Sequence, residues 1–82
     1  RYRNKNINIL PTQMLVALSG LFTLDISYNK LTDSQIELIM NSCLKLVTFC
    51  MQGNQATIIP AAIYKLNDLK NFRHDWLTID PR

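Results

Sequence analysis

Apolar residues follow two alternating rhythms along this chain. The run Leu21-Phe22-Thr23-Leu24-Asp25-Ile26-Ser27-Tyr28-Asn29-Lys30-Leu31 sets Leu21, Leu24, Ile26 and Leu31 among polar neighbours, with Asn29 before the last of them. Around Leu24 and Ile26 the alternation has period two, which suits a short strand with one buried face. Beyond Leu31 the spacing lengthens, and Ile36, Ile39, Met40, Cys43 and Leu44 recur at helical intervals. Thr32, Asp33 and Ser34 are all suited to cap that helix, and Ser34 with Glu37 three residues on makes a capping-box pattern.

The double rhythm then repeats. Leu46, Phe49, Met51, Asn54 and Ala56 restate the Leu21 pattern 25 positions later, and Leu69 opens a third copy 23 positions after that. The third copy is degenerate: Phe72 is kept, His74 stands where a third aliphatic residue belongs, Leu77 replaces the Asn, and Ile79 holds the last apolar position. Pro60 opens a short helix carrying Ile63 and Leu66, and Pro11 does the same for Leu15 and Leu18. Ile7 and Leu10 read as the end of an upstream unit. The predicted units are 1–20 (a partial repeat and its helix), 21–45, 46–68 and a degenerate terminal unit, 69–82. The tail Asp80-Pro81-Arg82 reads as chain leaving the stack.

The form L-x-x-L-x-L-x-x-N-x-L at Leu21–Leu31, matched at Leu46–Ala56, resembles the leucine-rich-repeat family. The stretch Ile59-Pro60 to Leu66 is similar to intracellular repeats of that family, and Cys43-Leu44-Lys45-Leu46 to a cysteine-containing subtype. The resemblance implies an α/β solenoid: a right-handed superhelix with short parallel strands on a concave face and short helices on a convex one. It implies protein binding rather than catalysis, by a scaffold or adaptor whose array is longer than this segment. Two alternatives stay open, a regulatory or targeting segment of a larger enzyme (kinase, phosphatase or cyclase) and a structural part of a cytoskeletal or ciliary assembly.

Each repeat unit exposes its apolar face unless neighbours stack on it. Asn29 and Asn54 fall where a strand must turn, and a buried Asn side chain satisfies backbone groups there. A ladder of two Asn is therefore expected, ending at Leu77. Strand residues between the apolar ones point the other way. They form four predicted columns: Thr23, Thr48, Asn71; Asp25, Cys50, Arg73; Ser27, Gln52, Asp75; and Tyr28, Gly53, Trp76. Apart from Gly53, these are the expected partner-binding residues, since Tyr, Trp and Arg dominate interface energetics. Gly53 is expected to leave a shallow gap between Tyr28 and Trp76. Trp76 has two open readings, a contact residue or a cover for the end of the core.

Composition narrows the rest. The chain has 82 residues, 48% hydrophobic and 18% charged. It therefore folds as one domain with a small core rather than staying disordered. A net charge of +3 without a dense basic stripe argues against nucleic acid as a partner, and no apolar run is long enough for membrane insertion. The two cysteines, Cys43 and Cys50, are too few for a disulfide scaffold, which points to a reducing, cytoplasmic compartment and to cysteines acting as small hydrophobes. His74 beside Asp75 has no neighbouring nucleophile in the pattern, and the acidic residues lack metal-ligand spacing. No cofactor, metal or catalytic residue is expected.

Overall fold

Pro11 and Pro60 each stand immediately before a helical segment with φ of −59°. Proline is fixed near that angle, so both residues pre-set the direction of the turn that follows. In the computed structural model, which describes residues 3–75 and 77–79, Pro11 leads into α1 (Thr12–Leu18) and Pro60 into a 3-10 helix (Ala61–Lys65). Between them lies α2 (Asp33–Ser42). Its capping box is Thr32 with Gln35 and not Ser34 with Glu37: Thr32 is the last extended residue, and its N–H donates to Gln35 Oε1 at 2.9 Å. Cys43 leaves helical geometry at the far end. Leu44 therefore falls outside the amphipathic face and is exposed, contrary to its place in the helical pattern.

Three strands complete the chain: β1 (Thr23–Asp25), β2 (Thr48–Cys50) and β3 (Asn71–Arg73). They form one parallel sheet in the order β1-β2-β3. Parallel neighbours require a crossover segment, and α2 and the 3-10 helix supply the two crossovers. The architecture is thus α/β, built on a parallel sheet.

Pairing continues past the strands. Ile26 N donates to Cys50 O and Tyr28 N to Gln52 O, both at 2.9 Å, and Met51 N donates to Arg73 O at 2.8 Å. The turns that leave the sheet also bond to one another: Lys30 N to Ile7 O at 2.8 Å, Gln55 N to Leu31 O at 2.9 Å, and Ile59 N to Thr78 O at 2.8 Å. Ile59 and Ile79 form a parallel bridge. The chain therefore still follows its neighbour at Ile79, and residues 80–82 lie outside the described part.

The core fills the space between the sheet and the helices. Leu24 and Phe49 from the strands meet Leu18, Ile36, Ile39 and Met40 from the helices, with Leu31, Leu46, Met51 and Ile59 in the connecting turns. α2 is the middle helix, packing against both α1 and the 3-10 helix. Asp33 in its first turn accepts from Thr57 N at 2.7 Å, Thr57 Oγ1 at 2.5 Å and Ile58 N at 3.3 Å, which clamps the start of the helix to the next unit.

Asn29 and Asn54 occupy equivalent places in successive turns. Asn29 Oδ1 accepts from Lys5 N at 2.9 Å and Ile7 N at 3.0 Å, and its Nδ2 donates to Ile26 O at 2.8 Å and Ser27 O at 3.3 Å. Asn54 Oδ1 accepts from Leu31 N at 3.0 Å, and its Nδ2 donates to Met51 O at 2.8 Å and Ile26 O at 3.0 Å. Each amide closes its own turn and reaches back to the turn before it. Asn54→Ala strips Leu31 N and Met51 O of their partner, while Ile26 O keeps its bond from Asn29 Nδ2. At about 1–3 kcal/mol for each buried group left unsatisfied, less where water enters, the expected loss is about 3 kcal/mol. Urea unfolding measures it, and a loss below about 0.5 kcal/mol would mean that water replaces the amide fully.

Candidate functional site

The parallel register sets the predicted columns side by side. Thr23 pairs with Thr48 and Thr48 with Asn71; Asp25 pairs with Cys50 and Cys50 with Arg73. Leu24, Phe49 and Phe72 lie between them and face the core, so period two turns both columns to the opposite face of the sheet. Thr23, Asn71 and Arg73 are exposed; Asp25, Thr48 and Cys50 are half-buried. Asn71 Nδ2 and Thr48 Oγ1 are 3.4 Å apart, a long contact that leaves both side chains room to rearrange. The face is polar and carries one cation at β3.

The remaining two columns behave differently. Ser27 is 1% exposed and offers no surface to a partner. Its N–H and Oγ both donate to Asp25 Oδ1, at 3.0 and 2.5 Å, so the hydroxyl is taken up by its neighbour two residues back and closes the strand end. Gln52 and Asp75 are half-buried. Asp75 Oδ2 accepts from Gly53 N at 3.0 Å, which ties its carboxylate to the adjacent turn. Trp76 lies outside the described residues.

The shallow gap expected at Gly53 is filled. Tyr28 adopts φ 57° and Gly53 φ 77°, and a Cβ added at Gly53 would come within 2.5 Å of the Tyr28 ring. The ring thus lies flat on the glycine backbone. Its aromatic face also receives the Arg3 guanidinium, 5.1 Å from the centroid, in cation–π geometry. Half of Tyr28 stays exposed, but its aromatic surface is already engaged within the chain.

In comparisons with protein-family models, curated proteins and solved structures, the chain finds no match. Any reading of its role therefore rests on the geometry of the chain itself.

Beneath the sheet face runs an aromatic row that the pattern of apolar positions does not announce. The rings of Phe49 and Phe72 stack at 5.8 Å and 8°, and His74 continues the row at 4.7 Å from Phe72. His74 Nδ1 donates to the Asp75 carbonyl at 2.5 Å, so the imidazole is held by backbone and not by the Asp75 carboxylate. Where that row meets the outer face, Gln52, Phe72, Arg73 and His74 line a cavity of about 360 Å³. The only hint of it in the sequence is His74 at a position that calls for an aliphatic residue.

Neither cysteine is in a disulfide. Cys43 is fully buried among aliphatic side chains, and burial pushes its thiol from 9.0 up to about 11. Among the described residues no cluster of three or more His, Cys, Asp or Glu is arranged to hold a metal ion. No helix there is long and apolar enough to cross a membrane.

Three outcomes follow from these contacts. Gly53→Ala should destabilise the fold by roughly 2 kcal/mol or more, because a left-handed angle and a displaced Tyr28 ring add together; Gly20→Ala, with nothing within 4 Å of its added carbon, is the matched control in thermal melts. Near neutral pH a thiol reagent should modify Cys50 first and reach Cys43 only on unfolding, as mass spectrometry of quenched samples would show. The raised thiol favours the folded state only while it is protonated. That contribution is complete below pH 9.0 and disappears as pH climbs through about 11, so urea midpoints should fall across that window.

Proposed function

We propose that this chain is a segment of a leucine-rich-repeat solenoid that binds a partner protein through the outer face of its sheet. The observation that carries the reading is the parallel register, which aligns Thr23, Thr48 and Asn71 in one column and Asp25, Cys50 and Arg73 in the next. A rigid sheet presents such side chains with little ordering cost on binding. The paired amides of Asn29 and Asn54 support the same reading, because they hold successive turns at a fixed spacing.

The proposed role is binding without catalysis, with no cofactor. A partner protein fits the face better than nucleic acid does, since Arg73 is its one cation among the aligned residues. Two cysteines outside any disulfide accord with a reducing, intracellular setting.

The test uses two folded variants of the 82-residue chain as affinity baits against a cytosolic lysate. Thr48→Arg with Asn71→Arg crowds the sheet face; Leu38→Ala with Tyr64→Ala alters exposed residues of the helical side. The partner taken up by the wild type should fall at least about tenfold with the sheet-face variant, a change of about 1.4 kcal/mol, and persist with the helical one. Circular dichroism checks that both remain folded. The reverse pattern would place binding on the helices and overturn the reading.

A further inference from the structure

We propose that the cavity beside β3 is a binding site for a peptide segment bearing a carboxylate. The proposal rests on the protein-binding reading and names the chemistry of the partner.

The first observation is an unsatisfied acceptor. Gln52 Oε1 is buried and receives no hydrogen bond. Buried carbonyl oxygens are rarely left without a donor in native proteins, and an orphan one calls for an explanation. The half-buried Gln52 side chain lines the cavity, and a rotation of its amide brings the oxygen to a ligand N–H entering there, which supplies the missing donor. A peptide backbone carries such a group at nearly every residue.

The second observation is charge. Arg73 is exposed, and it lines the same cavity from the end of β3. Among the described residues no side chain forms an ion pair or hydrogen bond with its guanidinium. A guanidinium matches a carboxylate with two parallel hydrogen bonds. Asp75 is close in sequence, but its Oδ2 already accepts from Gly53 N at 3.0 Å on the neighbouring turn. A cationic ligand would meet Arg73 at close range and be repelled.

The third observation is the wall. Phe72 and His74 hold their rings 4.7 Å apart, and the backbone bond at His74 Nδ1 fixes the imidazole. They offer an apolar surface for the rest of the ligand. A volume of about 360 Å³ lies at the low end of the range for ligand sites, enough for one or two residues. Donor, carboxylate and apolar body are all parts of a short acidic peptide.

The experiment is an NMR titration of the ¹⁵N-labelled 82-residue chain with three capped dipeptides: acetyl-Phe-Asp, acetyl-Phe-Asn and acetyl-Phe-Lys methylamides. The Asp peptide should shift the Gln52 side-chain amide together with Arg73 and His74, and saturate. The Asn peptide should bind about tenfold more weakly and the Lys peptide more weakly still, as expected for loss of one charged hydrogen-bond pair. Arg73→Gln should bring the Asp peptide down to the level of the Asn peptide. Gln52→Leu should weaken both about equally while keeping their ratio.

Equal affinity for all three peptides overturns the proposal, as does unchanged binding by Gln52→Leu, which would make Gln52 a packing residue. Shifts confined to Thr23, Thr48 and Asn71 overturn it too, while leaving the sheet-face reading intact. The absence of any shift at millimolar peptide removes the cavity as a site; the sheet-face reading is then still decided by the lysate experiment, whose variants leave all four lining residues in place.

Discussion

The fold depends on a backbone constraint. A strand that must turn sharply out of a parallel sheet leaves N–H and C=O groups pointing at nothing, and no water reaches them in the interior. Asn29 and Asn54 resolve this with one side chain each, because a carboxamide both donates and accepts. Asn54 joins Met51, Ile26 and Leu31, and so bonds two successive turns at once. That bridge adds to the pairing of strands only three residues long, which are short for stable association by themselves.

The core obeys the same logic. No strand buries more than its central side chain completely, and α1 buries only Leu18. Each strand and helix contributes a few residues, and the layer between sheet and helices supplies the burial that no single element has. A chain of this size has only a few kcal/mol of net stability. The polar clamps at Asn29, Asn54 and Asp33 therefore carry a large share of what distinguishes the folded arrangement from a loose collapse.

Much of this was legible in the sequence, for definite reasons. Leu24 and Phe49 could be assigned to the buried face because period two allows no other choice, and the registers Thr23–Thr48–Asn71 and Asp25–Cys50–Arg73 came from counting between equivalent leucines. Side-chain competition was not legible. Ser27 alternates correctly yet is buried, its hydroxyl taken up by the Asp25 carboxylate two residues away. Ser34 and Thr32 are equally good caps by type; the extended backbone at Thr32 decided between them. Tyr28 looked like an open contact residue because nothing local reveals that Arg3 and Gly53, distant in sequence, take up its ring. The cavity escaped notice because its walls come from β3, the residue after it and the turn that follows β2, which are far apart in sequence.

The Asp33 clamp has a mechanical consequence. It joins the start of α2 to Thr57 and Ile58 by three bonds to one carboxylate, while the strand edges are joined by a row of separate backbone bonds. Tension applied along the direction of stacking would load these two kinds of joint in sequence. The backbone row would open like a zipper, one rung at a time, whereas the carboxylate joint would resist until all three bonds gave way together. Extension under force would then be stepped rather than smooth, with loss of the Asp33 joint as a step of its own.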